Sequence, residues 1–202
     1  MKLRFADERD IDAVASVHLA AFPGFFLTSL GRRFLIEMYR GFLSHPSGIF
    51  FVAEEQGEVM GFAAGTSAPD EFFSELRRRR AIFFLLWALP ALLRHPAIVI
   101  QKLRSAIFYR GDKPAGLEGG ALLSSIGVCP DVIGKSVGKR LLHDFESEAF
   151  SRGVGFVYLT TDEAGNDRVN KFYKNNGYFV ESRFCQGASR AMLRYVKNSQ
   201  SQ

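Results

Sequence analysis

Two cysteines in 202 residues, Cys129 and Cys185, are too few and too far apart for a disulfide framework or a metal cluster. The longest apolar run, Ala81 to Leu93, is thirteen residues long and stops at Arg94-His95-Pro96. A membrane-spanning helix needs ~20, so none is expected. The opening residues turn acidic within ten positions and hold no apolar secretory core, which makes a cytoplasmic location the expectation. No G-x-G-x-x-G is present, and Gly134-Lys135-Ser136 is no Walker loop, because position 129, where that loop needs its first glycine, is Cys. No repeat is visible. Disorder is excluded over most of the chain by 47% hydrophobic and 23% charged residues; only the polar end, 197–202, reads as a flexible tail.

What is present reads as one domain over 1–196. A strand at 2–5 precedes a helix capped by Asp7 and running to 21, whose apolar stripe is Ile11, Val14, Ala15, Val17 and His18. Pro23-Gly24 breaks it, and a second helix covers 29–43. Segments 48–53 and 59–64 form a hairpin around 54–58. Strands follow at 121–128 and 155–161, helices at 139–150 and 166–175, and a closing hairpin at 178–184 and 188–195. The class is mixed α/β (α+β): a largely antiparallel central sheet of about seven strands with flanking helices around one parallel crossover.

The chain is organised around residues 125–142. An apolar strand ends near Pro130, which has no amide donor and pushes Cys129 into extended geometry. The loop Gly134-Lys135-Ser136-Val137-Gly138 then opens a helix carrying Leu141, Leu142, Phe145 and Ala149 at helical spacing. Strand, glycine loop and helix N-terminus aim several backbone N–H groups at one spot with a partial positive charge, a place for a phosphate.

Val128-Cys129-Pro130 followed by Ile133-Gly134-Lys135-Ser136-Val137-Gly138 resembles the acetyl-CoA loop of the GNAT superfamily of acyl-CoA-dependent N-acetyltransferases. Asn166, Val169, Phe172, Tyr173, Gly177 and Tyr178 match the family's later motif, in the same order and at a similar distance. Ile133 departs from the usual Arg or Gln, and Ser136 stands where Gly is common. The resemblance implies transfer of an acetyl group from acetyl-CoA, as co-substrate and without a metal, to an amine on a small molecule, with amino sugars and other small amines favoured. It implies that backbone amides of Ile126 and Val128 hold pantetheine and the thioester carbonyl. The loop Ile133, Gly134, Lys135, Ser136, Val137 and Gly138, with Lys139, would take the pyrophosphate, and Asn166 would contact the pantetheine side. Tyr173 matches the tyrosine proposed to protonate the leaving sulfur and lies beside the cofactor. No carboxylate lies on strand 121–128, which leaves Asp162 as the nearest acid for general base, with His18 as another. The competing reading is a non-catalytic acyl-CoA-binding or membrane-associated interaction module.

An insertion at 69–113 stands outside the resemblance. Its nine bases and four acids account for the whole net charge of +5. Three readings stay open: a helical hairpin packed over the sheet, a lid whose arginines meet an anionic acceptor, or peripheral contact of 77–100 with the inner face of a membrane. Nucleic acid is not an expected partner, since the bases flank a greasy run. Monomer and homodimer are both compatible with the sequence.

Overall fold

The computed structural model describes residues 1–94, 118–186 and 190–199. Seven strands form one sheet in the order β1-β2-β3-β4-β5-β7-β6. They are β1 (Lys2–Phe5), β2 (Gly48–Glu55), β3 (Glu58–Thr66), β4 (Ala121–Val128), β5 (Phe156–Asp162), β6 (Phe179–Gln186) and β7 (Arg190–Asn198). Every neighbouring pair is antiparallel except β4 and β5, the crossover expected from the sequence.

Helices cover both faces because the central strands are apolar on both. In β2, residues 49–53 are all buried, with Ile49, Phe51 and Ala53 in one core and Phe50 and Val52 in the other. The first core is closed by α5 (Val137–Ser151), which lays Leu141, Leu142, Phe145 and Ala149 on the sheet. The second is closed by α1 (Ile11–Ala21) and α3 (Arg32–Ser44), through Val14, Leu35, Tyr39 and Phe42. Each fully buried Leu or Phe contributes about 1.5–3 kcal/mol.

Local chemistry sets the boundaries. Asp7 accepts the Arg9 amide at 2.8 Å and caps a single 3-10 turn, Glu8–Asp10, ahead of α1. A short helix α2 (Phe26–Ser29) intervenes before α3. The β2–β3 link is only Gln56-Gly57, both with positive φ (54° and 85°), the two-residue turn that matches strand twist. Both strands therefore run further into the charged stretch 54–58 than composition suggests. At the other end β7 continues to Asn198, and Lys197 Nζ lies 2.6 Å from the buried carboxylate of Glu146. Residues 197 and 198, expected in the tail, thus belong to β7, because an acid in the core holds Lys197 in the sheet.

The insertion begins as one long helix, α4 (Pro69–Arg94), docked on α3. Phe72 stacks on Phe42 at 4.4 Å, and the tilted rings of Phe84 and Phe34 lie 4.8 Å apart. A Cβ on Gly41 would sit 2.3 Å from the Leu76 side chain, so glycine permits this approach. No helix among the described residues is long and apolar enough to cross a membrane. The remainder of the insertion, 95–113, lies outside the described residues, as does Gly187 in the closing hairpin.

Candidate active site

The sheet is joined across its middle by very little. β4 and β5 pair only at Ala121↔Val157 and Leu122↔Tyr158. Gly120 pins that end, since a Cβ there would lie 1.9 Å from the Phe156 ring. Beyond these two pairs β4 and β5 do not pair, and among the described residues that edge of β4 has no other partner. On its other edge, β4 follows β3 up to Cys129, whose N–H donates to Met60 O at 2.8 Å. By the alternation of an antiparallel ladder, the amides of Ile126 and Val128 point the opposite way, into the gap. A β-bulge also interrupts β4: Ala64 faces Ser125 and Gly65 faces Leu123, which leaves Ser124 as the extra, exposed residue.

At the end of the gap stands the loop. Val132 and Val137 are buried anchors at 4% and 2% exposure, whereas Ile133, Gly134, Lys135 and Ser136 between them are exposed. Gly134 (φ 93°) and Ser136 (φ 59°) both take left-handed backbone, so the loop curls back on itself. The first bond into α5 runs from the Arg140 N–H to Ser136 O at 3.1 Å, and no side chain caps the helix. The N–H groups of Val137, Gly138 and Lys139 therefore precede any intrahelical acceptor. Lys135, Lys139 and Arg140 are exposed around them, with no ion-pair partner among the described residues. A Cβ on Gly138 would lie 3.6 Å from Val128 and 3.8 Å from Phe172. That one glycine marks where loop, strand end and helix α6 (Asp167–Asn175) converge.

Loop and gap together suit a long ligand with a diphosphate at one end. Residues 104–178 match the model of the acetyltransferase (GNAT) family. Together with the sheet order, that match makes the fold GNAT-like. Among solved structures, a putative GNAT acetyltransferase from Desulfovibrio desulfuricans is similar at 16% identity and TM-score 0.64, with 98% of each chain covered. A ribosomal-protein-alanine N-acetyltransferase from Brucella melitensis is similar at 16% identity and TM-score 0.65, covering 98% of this chain and 100% of that one. An aminoglycoside 6'-N-acetyltransferase complexed with coenzyme A is similar at 16% identity and TM-score 0.61, covering 98% and 97%. No curated protein is matched by the sequence. The GNAT fold supports acetyl transfer from acetyl-CoA to an amine.

In this GNAT-like fold, α6 sets the remaining residues singled out above. Tyr173 is buried in the same core as Leu141 and Phe145, its ring 5.3 Å from Phe172, 5.7 Å from Tyr178 and 5.6 Å from Tyr195. Burial first, then the neighbouring Tyr195, pushes its phenol pKa up, so it stays protonated. Asn166 begins α6, and its Nδ2 donates to Thr161 Oγ1 at 2.7 Å and to Asp162 O at 3.3 Å. Its amide nitrogen is thus engaged by the β5–α6 turn, which leaves its oxygen for a ligand. Asn170, which sequence reading passed over, braces the same turn from Nδ2 to Asp162 O and Glu163 O.

On the other side of β4 lies a second mouth. Asp162 closes β5 with both oxygens held by Arg190, at 2.5 and 2.7 Å. That pairing does not suit the free base expected of Asp162, because taking a proton would mean giving up the guanidinium. The Arg190 guanidinium also lies 5.9 Å over the Phe25 ring, and a Cβ on Gly127 would meet Phe22 at 3.1 Å. Phe22 and Phe25, in the aromatic junction after α1, thereby wall the mouth. His18 is 3% exposed, and burial lowers its pKa to about 4, which keeps the imidazole neutral. Its partner Tyr39 was hidden in the apolar stripe of α3. Cys129 is a free thiol 3.9 Å from Asp131, and Cys185 is free and exposed.

Proposed function

We propose that the protein moves the acetyl group of acetyl-CoA to the amine of a small molecule. The observation that supports this most is the unpaired stretch of β4, whose Ile126 and Val128 amides face a gap ending at the uncapped N-terminus of α5. In this reading the loop 133–138 and Lys139 take the diphosphate. The two strand amides take pantetheine and polarise the thioester carbonyl, and the oxygen of Asn166 takes a pantetheine amide. Tyr173, kept protonated by its surroundings, gives its proton to the departing sulfur. Asp162 acts through Arg190, shaping the acceptor mouth rather than accepting a proton. Amino sugars and other small amines remain the favoured acceptors, and the likeness to an aminoglycoside acetyltransferase agrees with that preference.

The test is CoA release from acetyl-CoA with a panel of glucosamine, an alanyl peptide, benzylamine and p-anisidine, alongside thermal unfolding with and without CoA. Turnover of one amine and a rise in Tm are expected. Protection without turnover would favour an acyl-CoA-binding module, which the loss of the usual Arg or Gln at Ile133 also suits. No protection would refute the assignment. A peripheral membrane role for α4 is a separate proposal, supported by Phe83 and Leu86 standing 46% and 54% exposed on that helix. Failure to float with anionic liposomes would rule it out.

A further inference from the structure

Unpaired cations surround the entrance to the gap between β4 and β5. Segments 131–144 and 167–175 hold six bases and three acids, although the chain outside the insertion is neutral. Lys135, Lys139 and Arg140 belong to the loop and the start of α5, and Arg168, Lys171 and Lys174 belong to α6. All six are exposed, and among the described residues none has an ion-pair partner. The two groups are neighbours, because a Cβ on Gly138 would lie 3.8 Å from the Phe172 ring. Arg168 precedes Phe172 by one turn and so stands on the same side of α6. The placement works against the fold. Lys139, Arg140 and Arg168 occupy the first turns of their helices, the end whose dipole disfavours positive charge. Arg168, Lys171 and Lys174 follow at three-residue spacing, where like charges repel along the helix.

Apolar surface lies among these charges. Ile133, at the start of the loop, is 47% exposed, and Val169, beside Arg168 in the first turn of α6, is 37% exposed. Half-buried Phe172 follows Val169 one turn further along. Apolar contacts ringed by charge are the anatomy of a protein interface. A diphosphate held at the loop accounts for the cations nearest to it. It does not account for a stripe that runs about 9 Å along α6, from Arg168 to Lys174. Nor does it account for an exposed isoleucine at the head of a phosphate loop.

We propose that this rim docks a small acidic carrier protein, and that the gap also takes the 4′-phosphopantetheine arm on which such a protein bears its acyl group. This rests on the acetyl-transfer reading above, because the arm occupies the same gap. The arm repeats the pantetheine half of CoA, with its phosphate joined to a carrier serine in place of a nucleotide. The loop amides meet that phosphate, and the acidic surface of the carrier covers the cations of α5 and α6. Transfer balances as it does with CoA. The amine nitrogen bonds to the thioester carbon, and the C–S pair leaves on sulfur, which takes the Tyr173 proton. The proton lost by nitrogen goes to water, from which Tyr173 is restored, and the carrier departs as its free thiol. Charges around such a rim set encounter rate and partner choice more than affinity, which suits a donor that must leave after each turnover.

Fluorescence anisotropy with a labelled holo acyl carrier protein, its pantetheine thiol free, tests this without an acceptor amine. Wild type is expected to bind it with a micromolar Kd, and CoA should displace it. The apo carrier, which lacks the arm, should bind at least about tenfold more weakly. Lys171→Glu combined with Lys174→Glu should weaken binding of the holo carrier about tenfold, while the rise in Tm given by CoA stays as in wild type. Raising NaCl from about 50 to about 300 mM should weaken the carrier more in wild type than in that variant. The proposal is overturned by no binding at about 100 μM carrier, by binding that CoA does not displace, or by equal binding of apo and holo forms. It is also overturned if the variant loses the CoA-dependent rise in Tm, which would assign the stripe to the nucleotide. Should the charge reversals perturb folding, Lys171→Ala with Lys174→Ala carries the test, at an expected loss of about threefold. If CoA gives wild type no rise in Tm, acetyl transfer itself fails. If CoA gives the rise and the carrier stays unbound, only the docking fails.

Discussion

The two sides of β4 are built by opposite means. On the side of α5, the donors are backbone amides on a short consecutive stretch, Ile126 to Lys139, and the loop that bears them is open to water. On the side of α1, the groups are side chains gathered from α1, α3, β5 and β7, several of them sealed in the core. A surface made of main chain depends on turn conformation, so Ile133 in place of an arginine or glutamine gives up a side-chain contact there without removing a backbone donor. A surface made of side chains has no such tolerance, because each group is held by partners far away in sequence.

Four substitutions or conditions can break or sharpen this contrast. The largest effect is on the sealed side. The His18 pKa in the folded protein is about 4, below the ordinary 6.5. Below pH 6.5 the unfolded chain therefore binds a proton that the folded chain refuses. Stability is complete above pH 6.5 and falls as pH drops toward 4, by up to about 3 kcal/mol. Urea melts across that range measure the loss, and His18→Gln should flatten it. Next, Tyr173→Phe keeps the ring contacts and removes the acid, so kcat should fall about 10²-fold with Tm unchanged. Steady-state kinetics and a thermal scan on the same preparation decide this. Third, Gly134→Asp forces a side chain onto a φ of 93° and places an anion beside the phosphate donors. Calorimetry should show CoA binding weakened by about 2 kcal/mol, roughly thirtyfold. The smallest effect belongs to Ser136→Gly. Relief of its left-handed strain is partly offset by a looser unfolded chain, for a net gain of about 0.5 kcal/mol in denaturant melts. A loss there would mean that the Ser136 side chain does more for the loop than its geometry suggests.

The same contrast explains what could be read from the sequence. Strand 121–128 appeared with its ends in place, and the helix after it began only two residues early of expectation, at Val137, because apolar periodicity, Pro130 and Gly134 are local signals. The residues of the second mouth carry no local mark. Arg190 matters through Asp162, 28 positions away, and Tyr39 through His18, 21 positions away. Tyr39 also sits in an amphipathic stripe that looks like plain core. One signal was available and unused: Ser124-Ser125 breaks an otherwise apolar strand with two adjacent polar residues, which no simple alternation permits, and the bulge lies there. The link 54–58 and the end of β7 were read as too loose because charge was taken for loop. In the fold the first is a tight turn and the second is tied to Glu146.

The seam between β4 and β5, closed by two residue pairs, has a consequence for the protein's life in a cell. Strands left apart along most of their length form a fissure that a guest molecule completes, so the guest becomes part of the scaffold while it stays. Abundance would then follow supply: when the guest is scarce, the two halves of the sheet separate more often and proteases find the chain sooner.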